Sequence, residues 1–264
     1  MRVGVTGASG FIGSHLITAL KKSGNLIDSF HRNSDKGPFD ILSLKQFVQN
    51  KDLIYHLAGV NRASKEEIIA GNIIGTLRLV EAVRETKTPA RLVFASSAQV
   101  YSPVSKNPIK ESFRGSPVTI YGISKRTAEG LISLSGLDYV ILRFVNIYGP
   151  GCRPNYNSAI ATLCERAVRG ETLILDGDGK QGRDFIHVRD AVSALMEVVE
   201  GPSGIFNVSS GNITSLRRIV SAIKQEIPKV CVQYRQNVDS GGPSYCCDPG
   251  RFMKKYSWKA RTPL

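Results

Sequence analysis

Thr6-Gly7-Ala8-Ser9-Gly10-Phe11-Ile12-Gly13 is the stretch on which the fold turns. It stands between an apolar run of strand character, Val3 to Thr6, and Phe11 to Lys22, whose apolar spacing is helical. A Gly-rich turn at that junction can bring backbone N–H groups and a helix N-terminus onto a pyrophosphate. Glycine suits it because a Cβ would block the approach of backbone to ligand and of helix to strand. Gly7, Gly10 and Gly13 recur every third residue, a spacing that departs from G-x-G-x-x-G.

Outward from this turn, apolar runs alternate with amphipathic stretches, as in repeated βα units on a mostly parallel sheet. Strands are expected at Leu26 to Phe30, Leu53 to Leu57, Leu92 to Ala95 and Tyr139 to Phe144, and helices at Leu42 to Gln49, Lys65 to Thr86 and Tyr121 to Leu134. After Tyr148-Gly149-Pro150-Gly151 the rhythm changes to a helix (Ser158 to Arg169), a Gly-rich loop (Asp176 to Gly182), a strand (Phe185 to His187), a helix (Asp190 to Glu200) and a strand (Ile205 to Val208). A further helix follows from Ser215, then a basic tail broken by Gly and Pro. The fold class expected is α/β, a Rossmann-like doubly wound parallel sheet with a smaller, discontinuous C-terminal annex. Residues 1–148 would form the dinucleotide-binding part and 149–264 mainly the annex, with the chain returning to the sheet around 184–200. No internal repeat or linker interrupts this organisation.

Composition narrows the functional classes. The 264 residues, 42% hydrophobic and 22% charged, suffice for one sizeable core and exclude disordered and low-complexity classes. No apolar run approaches the roughly 20 residues of a membrane span, and Met1 leads into Arg2-Val3-Gly4-Val5 rather than a signal sequence. The expectation is a soluble cytoplasmic protein without membrane association. Cys152, Cys164, Cys231, Cys246 and Cys247 form no C-x-x-C pair, so reduced thiols and no metal site are expected. The net charge of +13 is skewed: from Gly211 onward ten bases face three acids. Such a field suits an anionic partner, either nucleic acid or a small phosphorylated ligand. No basic run is interleaved with stacking aromatics, and no nucleic-acid partner is expected.

Two further features suggest chemistry. In a dinucleotide fold an acidic residue about 20 positions after the glycines accepts hydrogen bonds from the ribose of NAD. That place falls near His31-Arg32-Asn33, where a cation favours the 2′-phosphate of NADP, while Asp28 falls within its strand and would point elsewhere. Both cofactors therefore stay open. Tyr121-Gly122-Ile123-Ser124-Lys125 puts a phenol and an ammonium on one helix face, where the cation lowers the phenol pKa and readies it for proton exchange. Ser96-Ser97 ends a strand at the carboxyl edge, where parallel-sheet ligands bind.

With these pieces in order, the chain resembles the extended short-chain dehydrogenase/reductase superfamily, in its nucleotide-sugar epimerase/dehydratase branch. The likeness rests on Thr6 to Gly13, Asp40-Ile41, His56-Leu57-Ala58-Gly59, Asn72 with Gly75-Thr76, Ser96 to Tyr101, Tyr121 with Lys125, Arg143 to Gly151, and Arg183 to Asp190. The resemblance implies that Tyr121 is the catalytic acid/base. Lys125 would bind the nicotinamide ribose and tune Tyr121, and Ser97 would hydrogen-bond the sugar C4 oxygen. It implies further that Gly7, Gly10, Phe11, Ile12 and Gly13 cradle the cofactor pyrophosphate, that Asp40 and Ile41 line the adenine and that Ala58 abuts the cofactor. Asn146 and Arg183 would hold the nucleotide-sugar diphosphate.

Departures refine this. Family dehydratases carry an Asp-Glu pair where this chain has Ala98 and Gln99, which disfavours dehydration. The sequence stops at Leu264, where relatives usually continue into a closing helix, so the sugar pocket is expected to be more open or completed by another subunit. His56 to Arg62 and Cys152 to Ala159 are similar to stretches of bacterial polysaccharide-pathway nucleotide-sugar C4 reductases, which consume NADPH. There Arg153, Asn155 and Tyr156 would reach the nucleotide. The first expectation is a nucleotide-diphosphate-sugar 4-epimerase, the second a 4-keto-sugar reductase; a non-catalytic dinucleotide-binding regulator is the distant third. By resemblance a homodimer would pair through Lys65 to Thr86 and Tyr121 to Leu134.

Overall fold

The computed structural model describes residues 1–30, 39–101, 108–156, 158–235 and 244–264. Six parallel strands form the central sheet: β1 (Arg2–Thr6), β2 (Leu26–Phe30), β3 (Leu53–His56), β4 (Arg91–Ser97), β5 (Tyr139–Phe144) and, at the far edge, β10 (Gly204–Val208). Their spatial order is β2-β1-β3-β4-β5-β10. The order reverses at β1, whose neighbours are β2 and β3, and that is where a doubly wound sheet opens a crevice at its carboxyl ends. Three of these strands, β3, β4 and β5, read as almost uninterrupted apolar runs because helices cover both sheet faces.

Two apolar clusters fill the spaces on either side. One packs α1 (Phe11–Lys22) and α7 (Val188–Glu197) on the sheet through Leu16, Leu20, Val188, Ala191 and Leu195. The other packs α2 (Ile41–Val48), α4 (Gly75–Glu85) and α5 (Ile120–Ser133) through Leu44, Val48, Leu79, Val83, Ala128 and Ile132. A third, smaller cluster joins α6 (Ala159–Val168), β7 (Leu173–Asp176) and α8 (Leu216–Glu226) around Leu163, Leu175, Ile219 and Ile223.

Short strand pairs carry the second half of the chain. β6 (Asn146–Tyr148) pairs with β9 (Phe185–His187), β8 (Gly182–Arg183) with β11 (Thr214–Ser215), and β7 with β12 (Val232–Arg235). The chain returns to the sheet through α7 and β10, and ends after α9 (Gly250–Tyr256), whose Phe252 and Tyr256 pack with Trp258 against Phe206 of β10.

The long helix expected from Lys65 to Thr86 is interrupted. α3 (Lys65–Ile69) passes through one π-helical turn, Ala70–Ile74, before α4 begins. The wider turn carries Asn72, whose amide spans Val60 N (2.7 Å) and Val60 O (2.8 Å) and also donates to Ser124 Oγ (2.9 Å). π turns commonly occur at such functional positions, and here the irregularity connects the loop after β3 to α5. A second difference lies in β4, which runs through Ser96 and Ser97 instead of ending before them.

The glycine turn is dictated by contact. A Cβ on Gly13 would lie 2.1 Å from the Gly7 carbonyl oxygen, and one on Gly7, which has φ +74°, would lie 2.6 Å from Ala58 N. By contrast, a Cβ on Gly130 of α5 meets nothing within 4 Å. Gly13→Ala is therefore expected to lose at least about 3 kcal/mol of unfolding free energy, while Gly130→Ala gains roughly 0.5–1 kcal/mol from helix propensity. Urea unfolding of the two variants beside the parent checks both signs.

Candidate active site

At the carboxyl ends of β1, β3, β4 and β5 lies a cleft of about 420 Å³. One end is lined by Gly7 and Ser9 to Gly13, the middle by Gly59, Ser97, Tyr121 and Lys125, and the other end by Asn146, Arg153, Tyr156 and Tyr245. α1 starts at Gly10 without a side-chain cap, which leaves first-turn N–H groups available to an anion. Among the described residues, those lining this cleft include Lys125 and Arg153 but no carboxylate. Such a lining fits an elongated ligand that carries phosphate charge at both ends.

Local structure brings Tyr121 to Ser97. Thr119 caps α5, its Oγ1 accepting from Gly122 N at 3.0 Å. Gly122 lies so close to the short 3₁₀ turn Ala98–Val100 that a Cβ there would sit 2.4 Å from Gln99 O. The first turn of α5 can thus pack directly on the end of β4, which brings the Ser97 hydroxyl near enough to the Tyr121 phenol to lower its pKa. Ser97 Oγ also accepts from Gln99 N at 3.2 Å.

Lys125 behaves differently from expectation. Its ammonium donates to the Ala95 carbonyl at 2.9 Å, lies 4.6 Å from the Phe94 ring centre, and stands 5.9 Å from the centre of the Tyr121 ring. The phenol is pushed up to about 12, chiefly by burial and against the Ser97 hydrogen bond. The phenol therefore stands above its ordinary value instead of below it, because burial outweighs what lowers it. Burial also pushes the Lys125 ammonium down to about 8, opposed by the negative charge of Glu129.

A buried network supports these groups from beneath. Glu129, one turn beyond Lys125, accepts from Arg143 Nε (2.9 Å) and Nη2 (2.6 Å) and from Ser96 Oγ (2.6 Å). His56 is structural: its ring sits between Thr6 Oγ1 (2.7 Å) and Thr76 Oγ1 (2.9 Å), and burial pushes it down to about 3, so it is neutral.

The other sequence-derived residues divide. Gly7, Gly10, Phe11, Ile12, Gly13, Asn146, Arg153 and Tyr156 line the cleft with Ser97, Tyr121 and Lys125. Ala58, Asp40, Ile41, Asn155 and Arg183 do not. Asp40 Oδ2 caps α2, accepting from Ser43 N and Ser43 Oγ at 2.9 Å each, and the partly buried Ile41 packs into the core beside it. Asn155 turns its N–H to Thr162 Oγ1 (2.9 Å) and its carbonyl to Arg62 (2.8 Å), which makes it an anchor of its loop. Arg183 stacks its guanidinium 5.4 Å from the ring centre of Tyr245, which does line the cleft. Asp28 pairs with Lys51 at 2.8 Å, turned from the crevice as expected, whereas His31 and Arg32 lie outside the described residues. Gln99 and Asn61, from the stretches Ser96 to Tyr101 and His56 to Arg62, also line the cleft, as does Tyr245, to which no motif in the sequence points. Among the described residues no cluster of His, Cys, Asp or Glu is arranged to hold a metal, and no helix is long and apolar enough to cross a membrane.

Comparison with known proteins gives a consistent pattern. The model of the NAD dependent epimerase/dehydratase family matches residues 3–209. A UDP-2-acetamido-2,6-beta-L-arabino-hexul-4-ose reductase of Pseudomonas aeruginosa is 34% identical over 207 residues, 76% of this chain and 50% of that protein. The chain thus spans half the length of that relative. MoeE5, solved in complex with UDP-glucose and NAD, superposes with a TM-score of 0.88 at 32% identity, covering 100% of this chain and 95% of that one. UDP-glucose 4-epimerase from Thermotoga maritima, solved with UDP-glucose, gives a TM-score of 0.88 at 26% identity with the same coverage.

The lysine is open to a direct test. Between pH 8 and a free lysine's 10.5 the unfolded chain holds a proton that native Lys125 has released. The Lys125 contribution to native stability is therefore expected to rise with pH across that window and to stay level below it, by up to roughly 3 kcal/mol. Denaturant titrations at half-unit steps from pH 7 to 10.5 should show it as a change in the stability difference between Lys125→Met and the parent, in which the opposing contributions of the buried thiols and phenols cancel.

Proposed function

Because this chain belongs to the NAD dependent epimerase/dehydratase family, we propose that it is a nucleotide-diphosphate-sugar 4-epimerase that binds a nicotinamide dinucleotide at its glycine turn. The observation that carries the reading is the cleft itself. A phenol and a serine hydroxyl meet midway between an uncapped helix N-terminus and a second, arginine-bearing end, with no carboxylate along the lining. A solved relative, MoeE5, holds UDP-glucose together with NAD, which matches a cleft with two anion-binding ends.

In this reading Gly7 to Gly13 hold the dinucleotide pyrophosphate on backbone N–H groups. Arg153 and Asn146, with Arg183 behind Tyr245, hold the sugar-nucleotide diphosphate. The bound nicotinamide supplies hydride acceptance and return at the sugar C4. Tyr121 Oη takes the C4 hydroxyl proton and later restores it, while Ser97 Oγ holds the same oxygen. A phenol at about 12 keeps its proton at neutral pH, so proton uptake requires cationic help. Lys125 supplies it by turning its ammonium from the Ala95 carbonyl toward the phenol and the neighbouring ribose. The uncharged pair Ala98 and Gln99 leaves no acid for eliminating water, which separates this site from a dehydratase.

A second reading is a 4-keto-sugar reductase consuming NADPH. It is favoured by the engagement of Asp28 with Lys51, which takes the carboxylate of β2 away from the ribose, and by the similarity to the Pseudomonas aeruginosa reductase. The expected assembly is a homodimer through α3, the π-helical turn, α4 and α5, along which Ile69, Ile74 and Ile123 stand exposed. A cytoplasmic location fits both readings.

Purified protein is expected to interconvert a UDP-hexose and its C4 epimer without net change in absorbance of the reduced nicotinamide. Stoichiometric oxidation of NADPH on a UDP-4-keto-6-deoxy-hexose, with no epimerisation, would establish the reductase instead. Tyr121→Phe should lower either turnover by about 10³-fold or more while the Kd for the dinucleotide stays within about threefold.

A further inference from the structure

Two stretches singled out in the sequence, His56 to Arg62 and Cys152 to Ala159, have no assigned part in the proton chemistry, and the fold joins them. Arg62 Nη1 donates to the Asn155 carbonyl at 2.8 Å across 93 residues of sequence. A second joint lies on the other side. His15 Nε2 is 2.9 Å from the Pro150 carbonyl, across 135 residues. A carbonyl only accepts, so this contact sets the histidine tautomer with its proton on Nε2.

Both carbonyls belong to the loop from Gly149 to Tyr156, the loop that presents Cys152, Arg153 and Tyr156 to the cleft. Both donors grow from the dinucleotide end: His15 sits one helical turn after Phe11, and Arg62 follows Gly59 in the loop after β3. The loop has little regular structure of its own. Gly149, Gly151 and Asn155 have φ of +134°, +85° and +57°, and its internal backbone bond is Cys152 N to Gly149 O at 3.2 Å. Left-handed residues in a loop persist where surrounding contacts hold them. One wall of that surround is Val188 and His187, which a Cβ on Gly149 would approach to 2.8 and 2.9 Å; Thr162 holds the Asn155 N–H from within the following helix, and His15 and Arg62 hold the loop from the other half of the cleft.

We propose that His15 and Arg62 are positioning residues that clasp the 149–156 loop onto the dinucleotide-binding half, so that occupation of one end of the cleft strengthens binding at the other. The inference deepens the proposed function and rests on its assignment of the two ends. Reciprocity follows thermodynamically: if the dinucleotide orders the side of the cleft that carries both donors, the loop is ordered in part before the sugar nucleotide arrives.

Two measurements on the parent and on Arg62→Ala, His15→Ala and the double variant decide it. Hydrogen exchange of the amides from Cys152 to Tyr156 reads the clasp without any ligand, and calorimetric Kd values for UDP with and without saturating NAD+ read the coupling. The double variant is expected to exchange those amides at least about tenfold faster and to bind UDP about tenfold more weakly in the presence of NAD+. Tightening of UDP by NAD+ should fall to within twofold of none, with the Kd for NAD+ alone unchanged within about threefold. Arg62→Lys, which retains a cationic donor, should recover most of the single-variant loss. Unchanged exchange in the double variant, or undiminished coupling, overturns the clasp. If the parent binds neither UDP nor NAD+, the proposed function fails, while the exchange rates still decide whether the loop is clasped.

Discussion

One buried carboxylate governs where the chemistry can take place. Glu129 is 3% exposed and is held by both Nε and Nη2 of Arg143, itself 2% exposed, and by Ser96. Arg143 continues through Tyr101 Oη (2.8 Å), which donates to Asn207 Oδ1 at 2.7 Å. A single chain of charge-assisted bonds therefore ties α5 to β4, β5 and β10. Removing either charge from such a pair leaves the other buried and unpaired, a cost of about 3–5 kcal/mol, although the pair adds little net stability over a well-packed apolar substitute. Its contribution is orientation: Ser97 follows Ser96, and Lys125 precedes Glu129 by one turn, so one network sets both sides of the cleft.

A second constraint is the close approach of backbones. Gly7 abuts Ala58, Gly13 abuts the Gly7 carbonyl, and Gly122 abuts the Gln99 carbonyl. Each contact moves a functional element to a distance that any side chain would prevent. The first two bring the N-terminus of α1 to the crevice between β1 and β3, and the third sets Tyr121 beside Ser97. Electrostatics then complements the geometry, since the cleft carries cations and no carboxylate while the conspicuous positive charge of the last fifth of the chain stands on other surfaces, on α8 and α9 and around them.

Local signals were legible wherever a residue type answers to a backbone requirement. The glycine turn, the alternation of strands and helices, the placement of β2 that turns Asp28 away, and the spacing of Tyr121 and Lys125 on one helix face all follow from short-range rules. Long-range partners were not. Asp40 caps α2, Asn155 anchors its loop, and Lys125 donates to Ala95, because each polar group takes the nearest satisfying partner that folding brings to it. Tyr245 faces the cleft from a segment that carries no motif, delivered there by its backbone bridge to Arg183 of β8.

Thus the sequence by itself determined an α/β sheet with a phosphate-cradling first turn and a serine, tyrosine and lysine of the kind that exchanges protons with a hydroxyl or carbonyl oxygen. These are properties of neighbours in the chain, and local sterics and periodicity encode them. Only the tertiary structure decided which carboxylate stays buried, where the lysine directs its proton, how high burial raises the phenol, and that residues 62 and 155 meet. Those outcomes depend on desolvation and on partners tens of residues away, and no short-range rule contains them.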